Sequence, residues 1–141
     1  LYFWKRRREE LRSEFLSGTK QSLFGNNTKK YAPQARDLTM KMQDRFDSQA
    51  AADWSIRIGL HLQAEGPVKD QYFSVMIDQG KCEFSEGSMP EDAKLILRMP
   101  AGYWAAVLLG KKRLESALLT GKLKVEGEPH EGLRLRTVFK I

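Results

Sequence analysis

Between Pro100 and Gly110 the chain reads AGYWAAVLL, nine residues without a charge. Tyr103, Trp104, Val107 and Leu108 fall on one face of a helix, while Ala101, Ala105, Ala106 and Leu109 keep the rest apolar. A helix with almost no polar face is buried on most sides or borders an apolar space, so the other elements must be arranged to cover it. Pro100 suits its start and Gly110 its end, and Lys111, Lys112 and Arg113 stand where the helix dipole favours cations. An ordinary core helix and a cavity wall share this pattern.

The segment before it has period two. Trp54, Ile56, Ile58, Leu60 and Leu62 alternate with Ser55, Arg57, Gly59, His61 and Gln63, the pattern of a half-buried strand. Gly66, Pro67 and Asp70 mark a turn, Tyr72 to Ile77 a second strand, and Asp78-Gln79-Gly80 a tight reversal into a third strand, Lys81 to Ser85. Three strands joined by short turns make an antiparallel meander. Leu95, Leu97 and Met99 alternate with Ile96 and Arg98 as a fourth strand. After the apolar helix, Leu114, Ala117 and Leu118 suit another short helix. Beyond Gly121, Leu123 and Val125 point inward from a fifth strand. The last segment is open: Leu133, Leu135, Thr137 and Phe139 alternate like a strand, whereas Pro129 and the spacing Leu135, Val138, Phe139 suit a helix.

Toward the N-terminus, residues 3 to 17 suit a short helix and residues 18 to 32 a loop. Pro33 is placed to open a helix with the stripe Ala35, Leu38, Met42 and Phe46, expected to end near Ala52. The net charge of +6 is confined to this end. Residues 1 to 36 hold nine Lys/Arg against three Asp/Glu, and residues 37 to 141 hold fifteen of each. A neutral body argues against a nucleic-acid partner. The chain divides accordingly into a basic helical arm and linker, residues 1 to 36, and a folded domain, residues 37 to 141. The start, Leu1 to Trp4 followed by Lys5, Arg6, Arg7 and Arg8, has the look of the cytoplasmic end of a membrane helix. A processed form or tag remnant joined to a solvated charge run reads the same way. On the first reading, Trp4, Lys5, Arg6, Arg7 and Arg8 touch an anionic membrane surface. The expected location is cytoplasmic, with membrane association or an anchor ahead of residue 1.

No catalytic constellation stands out. His61 lies on the polar register of its strand and reads as a surface histidine, and His130 follows a proline at an exposed helix start. Cys82, the single cysteine, reads as a buried small hydrophobe, and no disulfide within the chain can form. Metal-ligand spacing, nucleophile elbow, phosphate loop and dinucleotide fingerprint are all missing, so no enzyme activity, metal or cofactor is expected. Glu91-Asp92 reads as a solvated turn.

Three pieces occur in a telling order: the strand pair about Asp78-Gln79-Gly80-Lys81, the helix ending Leu108-Leu109-Gly110-Lys111, and Leu119 to Gly127, LTGKLKVEG. In content, order and spacing they resemble the sterol carrier protein type 2 (SCP-2) family, whose members bind sterols, fatty acids, acyl-CoA and other lipids. The resemblance covers roughly residues 37 to 141. It implies an α+β fold: a five-stranded mixed sheet covered on one face by helices, with an elongated apolar cavity between them, and a helix over residues 129 to 139. The chain departs from the animal members in ending Val138-Phe139-Lys140-Ile141, without a peroxisomal address of the S-K-L type.

Joined to the periodicity, the resemblance turns the apolar helix into a cavity wall. The inward positions expected to line a lipid site are Ile58, Leu60, Leu97, Met99, Trp104, Val107, Leu108, Leu118, Leu123, Leu133 and Phe139. The function implied is non-catalytic binding or transfer of a sterol, fatty acid or other lipid. A second reading is an accessory domain that presents an isoprenoid quinone or another apolar substrate to separate enzymes.

Overall fold

A computed structural model describes residues 26–141. The elements run as a 3₁₀ helix Asn26–Gln34, α1 Ala35–Met40, a 3₁₀ helix Lys41–Arg45, β1 Ser55–Gln63, β2 Gln71–Asp78, β3 Lys81–Glu86, β4 Leu95–Pro100, α2 Ala101–Leu108, α3 Leu114–Leu119, β5 Lys124–Glu126 and α4 Pro129–Phe139. The basic residues Lys5 to Arg8, and the expected helix over residues 3 to 17, lie outside the described residues.

The sheet follows from period-two alternation. Its order is β3-β2-β1-β4-β5, with β1 parallel to β4 and the other neighbours antiparallel. Register puts apolar side chains in rows: Ile58 lies between Val75 and Leu95, and Leu60 between Phe73 and Leu97. All six are at most 2% exposed. Phe84 continues one row onto β3. One sheet face is therefore a continuous apolar floor under the helices, and a one-residue slip would turn every row to solvent. The β2–β3 reversal needs positive φ at both central residues, met by Gln79 at 46° and Gly80 at 86°.

The motif TGKLKVEG ends in a residue that the fold demands. Gly127 has φ of 114°, and a Cβ there would press into the Lys94 carbonyl at the head of β4. That close approach docks the short strand β5 against β4, where Val125 pairs with Leu97.

The N-terminal helical region differs from the expected single helix in two ways. Pro33 lies inside a 3₁₀ segment that begins at Asn26, in residues expected to form a loop, and regular α-helix covers only Ala35–Met40. The helical run also stops at Arg45, not near Ala52. Phe46 turns extended at that point, φ −62° and ψ 125°, and its ring packs on Phe139 at 5.4 Å. The Asp47 carboxylate then accepts the Gln49 and Ala50 N–H groups at 3.1 Å, holding a turn that competes with helix.

The open C-terminal segment is a helix, α4. Pro129 occupies its first turn, and the chain leaves it through Lys140 in the left-handed region, φ 57° and ψ 47°. Phe139 seals it against Phe46 and, edge to face at 5.6 Å, Phe84.

Candidate functional site

The apolar helix α2 organises the site. All eight of its residues, Ala101 to Leu108, are buried. The 3₁₀ helix Asn26–Gln34 and α1 pack on it from above, and β1 and β4 lie below. A buried helix must still satisfy its terminal N–H and C=O groups. Two charged side chains from distant parts of the chain serve that need. At the N-terminal end the Glu65 carboxylate accepts the Gly102 N–H at 2.6 Å and the Thr28 hydroxyl at 3.1 Å. At the C-terminal end the Arg45 guanidinium donates to the Leu108 carbonyl at 2.7 Å. Anion at the positive end and cation at the negative end both agree with the helix dipole. The Trp104 indole N–H is satisfied too, donating at 2.9 Å to the Thr39 hydroxyl, which donates in turn to the Ala35 carbonyl at 2.7 Å.

Beyond the C-terminal end of α2 the surface opens into a cleft of about 520 Å³, bounded by the end of α2, the start of α3, the end of α4 and Arg45. That volume lies within the roughly 300–1,000 Å³ range of small-molecule sites. The cleft lining is mostly polar: Arg45, Lys112, Arg113, Arg136 and Lys140 surround it with cations against one carboxylate, Glu115, while Val107, Leu108 and Leu114 border it almost fully buried. A second cleft of about 290 Å³ lies at the start of β1, between Arg57, Met76, Asp92 and Lys94.

The expected lining residues are distributed around this frame. Ile58, Leu60, Leu97 and Met99 stand on the inner sheet face, each at most 2% exposed. Val107 and Leu108 reach the cleft. Trp104 is buried against α1, Leu123 is buried ahead of β5, and Phe139 is enclosed by Phe46 and Phe84. Leu118 is half-buried and Leu133 is 38% exposed. Sequence reasoning placed Lys112 and Arg113 at the end of the helix but passed over the clamps Glu65 and Arg45 and the cleft cations Arg136 and Lys140. Their partners lie up to 63 residues away along the chain, and no local spacing announces such pairs.

The outer sheet face corrects the reading of His61 as a surface histidine. Its side chain is only 14% exposed, stacked on Tyr72 at 4.6 Å. Arg98 donates to His61 Nδ1 at 2.9 Å, so Nε2 carries the hydrogen that Asp70 accepts at 3.0 Å. The His61 hydrogen bond, aided by the Ala64 N–H, holds the Asp70 carboxyl below its ordinary value. On the helix side, Arg36 hydrogen-bonds Glu86 at the sheet edge, lowering the Glu86 carboxyl and raising the Arg36 guanidinium. Burial raises both the half-buried Cys82 thiol and the Tyr103 phenol. His130 is exposed, as expected. Among the described residues no group of three His, Cys, Asp or Glu could hold a metal, and no helix is long and apolar enough to cross a membrane.

Comparison with known proteins agrees with this architecture. A sequence model described as the SCP-2 sterol transfer family matches residues 34–140. No curated protein matches the chain. Among solved structures, the palmitated SCP2L2 from Aedes aegypti is similar at 14% identity and TM-score 0.60, over 74% of this chain and 92% of that one. Sterol carrier protein 2 from Yarrowia lipolytica is similar at 18% identity and TM-score 0.56, over 74% of this chain and 85% of that one. A stereoselective inverting sec-alkylsulfatase from Pseudomonas sp. is similar at 18% identity and TM-score 0.57, over 70% of this chain. This chain spans only 14% of that enzyme's length. At such identities the likeness is one of fold.

Proposed function

The chain belongs to the SCP-2 sterol transfer family, and on that premise we propose that it binds and transfers an apolar lipid without chemistry of its own. The observation that carries the reading is α2, a helix whose eight residues are all buried and whose C-terminal end, Val107 and Leu108, borders a 520 Å³ cleft. The lipid tail enters there and follows α2 toward the inner sheet face. Each buried CH2 contributes about 0.8 kcal/mol, so a sixteen-carbon chain gains roughly 12 kcal/mol before ordering and association costs. Micromolar binding needs about 8 kcal/mol net, so affinity requires no polar anchor.

Denaturing extraction of the purified protein, followed by lipid mass spectrometry, tests this. Acyl lipids or sterols at near-stoichiometric yield are expected. Protein that carries none, and takes up none when mixed with vesicles, overturns the reading. The presence of a like fold as a small part of an enzyme supports a second reading, in which the domain presents one apolar substrate to a separate active site. A single isoprenoid in the extract, rather than mixed chains, favours that reading.

We extend the proposal to the basic arm. Trp4 and the run Lys5 to Arg8 supply an apolar ring and four cations for an anionic bilayer, about 1 kcal/mol per cation near the surface. Association with vesicles containing phosphatidylserine should fall steeply between 50 and about 300 mM salt as the Debye length shortens. Deletion of residues 1 to 25 should abolish it. Binding unchanged by the deletion would remove the arm from this role.

A further inference from the structure

We propose that the folded body docks on an anionic bilayer through the face formed by residues 109 to 124, with Leu109 and Leu119 as its apolar contacts, and that a separation of charge across the sheet sets this orientation. The inference goes beyond the lipid-carrier reading. It concerns a surface of the body and not a guest, so it is tested with no ligand bound.

The neutrality of residues 37 to 141 is an average over two unlike sides. Residues 65 to 92, which carry β2 and β3, hold seven Asp/Glu against two Lys/Arg. Residues 109 to 124 hold five Lys/Arg against one Asp/Glu. Ion pairs with the rest of the chain do not cancel the difference. With Arg36 on Glu86 and Arg57 on Asp92 counted in, the first segment keeps three negative charges in excess. Arg136 takes up Glu115, the one carboxylate of the second segment. Lys112, Arg113, Lys122 and Lys124 form no ion pair among the described residues. Sheet order keeps the two sides apart. One edge is β3, with Glu83 and Glu86, and the other is β5, with Lys124, four strand spacings or about 19 Å away. That distance exceeds the Debye length of roughly 8 Å at physiological salt. Cations next to a negative surface therefore feel its potential while the far carboxylates do not, and a body without net charge still turns its basic side down.

The basic segment also carries exposed hydrocarbon. Leu119, at the end of α3, is 87% exposed, and Leu109, at the rim of the cleft, is 38% exposed. Isolated leucines among lysines suit a fluid interface. The leucines enter the boundary between headgroups and acyl chains, and the lysine stems lie along it with their ammonium groups at the headgroups. A protein partner fits this face less well, because lysine is depleted in protein–protein interfaces. In the resulting orientation the rim of the cleft at Leu109 lies against the bilayer. The basic arm supplies attachment in the reading above, and this face decides which side of the body lies down.

An environment-sensitive fluorophore on the full chain tests the assignment. It is attached in a Cys82→Ala background at Leu119→Cys or, as the control on the opposite edge, at Glu83→Cys. Both positions are exposed, so the fold should tolerate the label. On vesicles of phosphatidylcholine with about one-third phosphatidylserine, emission from position 119 should shift to the blue while position 83 keeps its solution value. On phosphatidylcholine alone neither should shift. Adding Lys122→Glu and Lys124→Glu should raise the vesicle concentration for half the shift at least about tenfold, with the near-ultraviolet circular dichroism unchanged. Co-sedimentation with the vesicles, run alongside, separates this face from the arm. A chain that pellets while its two labels shift equally, or while position 119 does not shift, overturns the inference and leaves the arm's role standing. A chain that does not pellet overturns both. A shift as large on phosphatidylcholine alone overturns the inference, since charge then sets no orientation. A shift at position 119 that grows with protein concentration in the absence of vesicles assigns the face to a second copy, basic side against acidic edge, and overturns it as well.

Discussion

Gly102→Ala is expected to destabilise the domain by about 3 kcal/mol or more, lowering its thermal midpoint by about 10 °C. The residue has no unusual φ, so backbone strain is not the cause. A Cβ at this position would instead collide with the Thr28 carbonyl oxygen and with Glu65 Oε1. Neither atom can retreat cheaply. The first is backbone in the 3₁₀ helix packed on α2, and the second is the carboxylate that accepts the Gly102 N–H. Displacing Glu65 also leaves a buried helix terminus without its acceptor. Gly132→Ala is the matched control. Its Cβ would meet only Leu97 Cδ2 at 3.7 Å, an ordinary contact, and alanine is the better helix residue, so this variant should gain about 0.5–1 kcal/mol. Chemical denaturation of both variants checks the pair. A Gly102→Ala protein as stable as the parent would mean that the covering helix is not seated on α2 as described.

The contrast between these two glycines shows what the sequence could disclose. Both lie in helices and neither carries a local signature. The difference comes from Thr28 and Glu65, brought in from 74 and 37 residues away. What periodicity can express was legible: five strands, the apolar helix, the Gln79-Gly80 reversal and the inward rows from Ile56 to Leu62. The chain between Asn26 and Trp54 was misjudged because an apolar stripe does not distinguish 3₁₀ from α geometry over short spans. Asp47 looks like a helix-surface residue until its side chain is seen holding a turn. His61 was misjudged for a related reason. The polar register of a strand indicates the face but not that Tyr72, Asp70 and Arg98 cover it there. Around the cleft, hydrophobicity marked Val107 and Leu108 as inward and the helix dipole marked Lys112 and Arg113, whereas Arg45, Arg136 and Lys140 looked like any solvated surface until α2, α3 and α4 converged.

Leu108→Arg should reduce uptake of alkyl ligands at least about tenfold. Leu108 is 2% exposed and lies where the buried body of α2 meets the cleft. An unpaired charge held there costs several kcal/mol. The side chain can escape only by reaching into the cleft, where it meets Arg45, Arg113 and Arg136 and occupies the space a lipid tail requires. Either outcome removes the apolar wall. Leu108→Met preserves volume and hydrocarbon character, so uptake should be retained at a cost below about 1.5 kcal/mol in stability. Near-ultraviolet circular dichroism separates loss of the site from loss of the fold. A folded variant that still returns lipid on extraction would show that the tail does not run along α2. The binding space would then have to lie on another part of the inner sheet face.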